Sequence, residues 1–132
     1  MAGLLARLLA LAEKRGDLVV AEVDDIDSWG FLLFRDGRYH IYLNRYVRDF
    51  RKTMALVDEL GHYALRRRIA RREGLPPDAC TVVERIRHDT ACDAWAANFS
   101  RRLLYFVRLG LHGDISRRPR QGGYDPSWRL PR

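Results

Sequence analysis

The chain has 132 residues, 47% of them hydrophobic and 31% charged, which suits one domain with a real core and excludes a disordered or low-complexity chain. Its formal net charge is +7, from 24 basic and 17 acidic residues, which admits a nucleic acid or an acidic protein surface as partner. No apolar run reaches the ~20 residues of a membrane span. Two cysteines outside any CxxC pair exclude a disulfide framework, so Cys80 and Cys92 read as small buried hydrophobes.

The opening stretch, "MAGLLARLLALAEKRG", places Leu4, Leu5, Leu8, Leu9 and Leu11 at helical spacing. It has no basic leader before the leucines, and Arg7 interrupts them. An amphipathic helix packed on the domain is expected rather than an export signal, and with it a cytoplasmic protein. "DLVVAEV" (17–23) is short and β-branched, hence a strand, and "SWGFLLF" (28–34) is another. Asp36-Gly37 in "RDGR" is a strong hairpin signal. "YHIYL" (39–43) is the return strand, with Tyr39, Ile41 and Leu43 on one face and His40 and Tyr42 on the other. The expected sheet is a three-stranded antiparallel meander ended by Asn44.

Residues 46–72 read as a helix, with Val47, Phe50, Met54, Val57, Leu60 and Ala64 recurring at three or four. Gly61 inside it costs roughly 1 kcal/mol relative to alanine and needs a packing or access reason. "RRRIARREG" (66–74) holds five arginines that complement the C-terminal dipole of a solvated helix end. Gly74, Pro76 and Pro77 break the helix. Asp78 or Thr81 can cap the next one, which runs to about Leu109 with Trp95 and Phe99 as core positions. Residues 111–132 form an irregular Arg/Gly/Pro-rich tail beyond a single domain of 1–110. Residues 101–132 carry eight arginines against two aspartates, a net +6, so nearly all the excess charge sits there.

The stretch that can carry chemistry is "DELGH". Residues four apart share a helix face, so Asp58 and His62 project together and Glu59 lies one step round. Two ligands at i and i+4, with a glutamate beside the first to act as general base, is the layout a zinc hydrolase asks for. A third ligand must come from elsewhere, and Asp89 and Asp93 on the later helix are the donors available. His88 reads as a group supporting that set, as an alternative ligand, or as a surface histidine. His40 lines the cleft or is a plain strand residue. His112 has no role.

At "YHIYLNRYVRDFRKTMALVDELGHYAL" and "HDTACDAWAANF" the chain resembles the ImmA/IrrE family of metallo-endopeptidases over roughly residues 18–104. Val57, Asp58, Glu59, Leu60, Gly61 and His62 overlay the family's Ala-His-Glu-Leu-Gly-His. Asp89, Cys92, Asp93, Trp95, Ala96 and Ala97 overlay its second helix. The resemblance implies a zincin-like helix pair on an α+β sheet. It implies metal ligands Asp58, His62 and Asp89 (alternatively Asp93), Glu59 as catalytic base, and Zn²⁺ as the ion. It also implies cleavage of a regulatory, repressor-like protein in a phage, mobile-element or stress system. Two positions depart from the family: Asp58 stands for its first histidine and Asp89 for its glutamate. A second carboxylate in place of an imidazole brings the ion's net charge from +1 to zero, which makes bound water less acidic and tilts the set towards Mn²⁺. The alternative is a catalytically degenerate module on the same fold that holds no metal and binds a protein, or a nucleic acid through the basic tail.

Overall fold

The structure, a computed structural model, describes residues 2–76 and 90–109. Helix α1 spans Ala2–Glu13, strand β1 Leu18–Val23, β2 Gly30–Arg35 and β3 Arg38–Asn44. Helix α2 spans Asp49–Glu73 and α3 Thr90–Arg108. The class is α+β, as expected. The tail 111–132, the caps at Asp78 and Thr81, and Cys80 lie outside the described residues, as does the side chain of Cys92.

The sheet is mixed, with order β1-β3-β2, which corrects the expected antiparallel meander. β2 and β3 form the anticipated antiparallel hairpin, Arg35 facing Arg38 across Asp36-Gly37. Both turn residues have positive φ, 54° and 78°, as the type I′ turn demands. β1, however, pairs with β3 in parallel, Leu18 beside Tyr39 through Val23 beside Asn44. The six residues 24–29 cross the end of β3 before β2 begins. Two strand spacings are only ~10 Å, within reach of such a segment. Asn44 secures the crossing: its Nδ2 donates to the carbonyls of Ile26 and Ser28, and its Oδ1 accepts from the Tyr46 amide. β3 gains the centre because its alternation is the most apolar, with Tyr39, Ile41 and Leu43 buried beneath the helices.

The helices cover one face of the sheet. Leu4, Leu8 and Leu11 of α1 enter the same core as Leu56, Leu60 and Tyr63 of α2 and Phe99, Leu103 and Val107 of α3. The N-terminal leucines therefore do what their spacing requires. α2 ends on Gly74, left-handed at φ 64°, whose amide and that of Leu75 both bond the Ala70 carbonyl. The arginines before it are not all solvated. Arg67 pairs with Asp17 at 3.2 Å and donates to the Tyr63 hydroxyl, and Arg68 stacks over Trp95 at 5.2 Å; only Arg71 and Arg72 stand exposed. Tyr63 also donates to Asp17 at 2.8 Å. Burial, and then its bond to Asp17, push its hydroxyl above the ordinary tyrosine value.

Gly61 has a packing reason. α2 and α3 run antiparallel and meet there: a Cβ on Gly61 would strike Ser100 Oγ and come within 2.7 Å of the Ala96 carbonyl. Ser100 Oγ donates to the Val57 carbonyl at 2.8 Å, closing the seam one turn away.

Candidate functional site

Among the described residues, the other side of α2 borders an open depression. Asp58 and Glu59 line this depression of about 410 Å³ with Met54, Ala55, Trp29 and Gly30. Its floor is the close approach of α2 to β2, where a Cβ on Gly30 would sit 3.3 Å from the Ala55 Cβ and 2.9 Å from the Tyr42 carbonyl. Small residues at 30 and 55 let helix and strand close up, and the larger neighbours rise as walls. Arg51 lies over the Trp29 ring at 5.1 Å. The Asn44 amide bonds the Trp29 carbonyl at 2.8 Å, so the start of β2 is tied to the centre of the sheet.

Asp58 is exposed, while Glu59 and His62 are half-buried. Asp58 and His62 fall on one face of a continuous helix, as their spacing predicts. A carboxylate and an imidazole one turn apart are a suitable pair of donors for a zinc-type ion. The third donor is a separate matter. The part of α3 facing the Val57–Leu65 stretch presents Ala96, Phe99 and Ser100, and Ser100 is committed to Val57. Among the described residues, no three of His, Cys, Asp and Glu gather as a metal-holding group. Asp89 and His88 lie outside the described residues, as do His112 and the side chain of Asp93.

His40 is not at this site. It stands on the sheet face away from the helices, beside Tyr42 at 5.8 Å, with Nε2 donating to the Arg35 carbonyl. Trp29 and Met54 line the depression although the sequence pattern gave them to a strand and to the core, and Phe50 lies one turn before Met54 on the same helix. Phe50 and Met54 match the helical apolar period, yet they are 72% and 39% exposed, and Trp29 is 43% exposed. The available signal was their spacing to the motif: Phe50 and Met54 precede Asp58 by eight and four residues.

None of the helices of the described residues is long and apolar enough to cross a membrane. Comparison of the whole chain with family models, curated proteins and solved structures gives no match in any of the three.

Proposed function

We infer that the chain is a metallopeptidase-like protein in which the depression between α2 and β2 receives an extended segment of a protein substrate. One observation carries this reading: Asp58 and Glu59 line a groove whose opposite wall is the start of an edge strand. Edge strands accept extended peptides by completing their ladder. Asp58 and His62 would hold a divalent ion, Zn²⁺ or Mn²⁺, with Asp89 or Asp93 completing the set. Such an ion supplies polarisation of a water and of the scissile carbonyl when bound. Glu59 takes the proton of the attacking water on its carboxylate and returns it to the leaving nitrogen. β2 aligns the peptide, and Trp29 and Met54 exclude water from one end. A regulatory protein in the cytoplasm is the substrate class the family resemblance suggests.

The second reading keeps the groove and drops the chemistry. It is favoured by Asp58 itself, an exposed carboxylate at the position where the family pattern has an imidazole. One pair of measurements separates the two. Zinc and manganese content after dialysis is compared for wild type, Asp58→Ala and Asp58→His, beside a cleavage assay with Glu59→Gln. The enzymatic reading expects metal in wild type, its loss in Asp58→Ala, equal or tighter binding in Asp58→His, and no cleavage by Glu59→Gln. Equal metal content in wild type and Asp58→Ala would end Asp58's role as a ligand. Cleavage that survives Glu59→Gln would end the mechanism.

A further inference from the structure

Phe50, Met54, Asp58 and His62 recur every four residues, so one stripe of α2 carries two apolar side chains and then two polar ones. Leu56 and Leu60 on the opposite face are fully buried, which makes the 72% exposure of Phe50 and the 39% exposure of Met54 a local decision. Met54 and Trp29 line the Asp58–Glu59 depression, and Phe50 carries the stripe one helical turn beyond it.

The strand beside this stripe runs in the same direction. Ala55 meets Gly30 near the start of β2. Tyr63 meets Tyr39, the cross-strand partner of Phe34, at 5.3 Å near its end. Eight helical residues (~12 Å) thus span four strand residues (~13 Å). The ladder fixes which backbone groups of β2 point outward. Trp29 bonds Asn44 inward, and the two-residue turn makes Arg35–Arg38 a bonded pair, so Gly30, Leu32 and Phe34 turn their amides away from β3. The Gly30 carbonyl accepts from Ser28 Oγ, leaving its amide and both groups of Leu32 and Phe34 directed outward.

An added strand running antiparallel to β2 passes His62, then Asp58, then Met54, then Phe50. One helical step of four residues is ~6 Å, and two strand residues are ~6.6 Å. Alternate side chains on one face of the peptide therefore meet successive residues of the stripe. The charges lining the depression are both carboxylates, Asp58 and Glu59, which repel a phosphate backbone and favour a basic side chain.

We propose that the groove selects an extended peptide of the pattern basic-x-apolar-x-apolar, read from N to C terminus, with the two apolar side chains seated on Met54–Trp29 and on Phe50. This rests on the groove being a peptide site, as in the proposed function, and does not require a metal or cleavage.

The test uses the full chain and fluorescein-labelled twelve-residue peptides (a length of convenience, about 40 Å when extended) in fluorescence anisotropy, with peptide integrity followed by mass spectrometry. One peptide carries Arg-Ser-Leu-Ser-Leu, a second the same residues as Arg-Leu-Leu-Ser-Ser, and a third Glu for Arg. The first should bind at least about ten-fold tighter than either other. Phe50→Ser/Met54→Gln, whose sites are exposed and whose melting temperature should match wild type, should abolish the preference for alternation. Equal affinity for the first two peptides overturns the proposal, as does an undiminished preference in the double variant. A wild-type dimer that these substitutions disperse in sedimentation also overturns it, since a second copy is then the occupant. Loss of oligonucleotide binding in the double variant overturns it in favour of nucleic acid. Selective binding of a peptide that stays intact sustains the inference while the peptidase reading falls. Cleavage indifferent to the alternation leaves the peptidase reading standing and removes this one.

Discussion

The two flanks of α2 solve one problem in opposite ways. On the α3 flank, Gly61, Ala96 and Ser100 bring two backbones together and leave nothing exposed. On the β2 flank, Gly30 and Ala55 let helix and strand pack close, but Trp29 and Met54 beside the contact, and Phe50 a turn further along α2, stay in solvent. Close approach therefore serves stability on one side and shapes a recess on the other. Apolar surface left open beside a tight floor forgoes roughly 25 cal/mol per Å² of burial. Substitutions on the seam should act on stability, and those on the groove on binding.

Leu60, fully buried among the helices, sets the upper end of that contrast. Leu60→Ala should destabilise by about 2–5 kcal/mol in urea unfolding, from lost transfer energy and a cavity. A value under about 1 kcal/mol would show the core to be loosely packed, and the distinction between flanks would lose its basis.

Gly61→Ala tests the seam directly. Helix propensity favours alanine by about 1 kcal/mol. Against it stand a collision with the Ser100 hydroxyl and a 2.7 Å approach to the Ala96 carbonyl. The hydroxyl can rotate, but a helical backbone carbonyl cannot move without shifting α3, so overpacking of about 1–3 kcal/mol prevails. The variant should lower stability, and Ser100→Ala added to it should restore only part of the loss. A Gly61→Ala protein more stable than wild type would mean that α2 and α3 do not meet here.

The same contrast explains what the sequence could convey. Gly61 announced a close contact because glycine mid-helix has a cost that something must offset, and α1 announced its buried stripe through leucines at a single period. Asp36-Gly37 specified its turn because only such residues tolerate two positive φ values. The sheet order was not legible. Pairing of β1 with β3 depends on whether residues 24–29 stop beside β1 or cross to the far edge, and the fixing bonds come from Asn44, which reads locally as a strand terminator. The groove walls were not legible either. A periodic apolar residue has the same pattern whether its face meets a core or solvent, so Phe50 and Met54 looked like Leu56 and Leu60. For the metal set, i and i+4 spacing on one helix is a local property, whereas a third ligand depends on the register between two helices.

Tyr63→Phe should have a smaller effect. It removes the hydroxyl that donates to Asp17 and accepts from Arg67, but Asp17 and Arg67 retain their own 3.2 Å pair. A loss of about 0.5–1.5 kcal/mol is expected. The pH dependence follows from the raised hydroxyl value. The neutral phenol is favoured in the fold, so its contribution is fully present below the unfolded tyrosine value of about 10 and is lost as pH rises towards the higher folded value. Wild type should therefore lose stability above about pH 10 more steeply than Tyr63→Phe. Parallel pH profiles would show that Tyr63 is not held as a buried donor.

The smallest stability effect belongs to the groove. Asp58 is exposed and, among the described residues, makes no hydrogen bond or ion pair. Without metal, Asp58→Ala should change unfolding stability by no more than about 0.5 kcal/mol, the usual range for a surface substitution remote from a cap or core. A helix carboxylate that matters for stability generally sits in the first turn or faces a cation three or four residues away. Asp58 lies in the third turn of α2, and His62 is the only described side chain at such spacing with ligand chemistry. The comparison sharpens when the measurement is repeated with added Zn²⁺. A gap between wild type and Asp58→Ala that opens only with the ion, growing with its concentration as linkage requires, would mark Asp58 as a ligand. A gap of 1 kcal/mol or more already present in EDTA would instead mean that this flank of α2 is covered by another part of the chain, and the open side of the comparison would be closed after all.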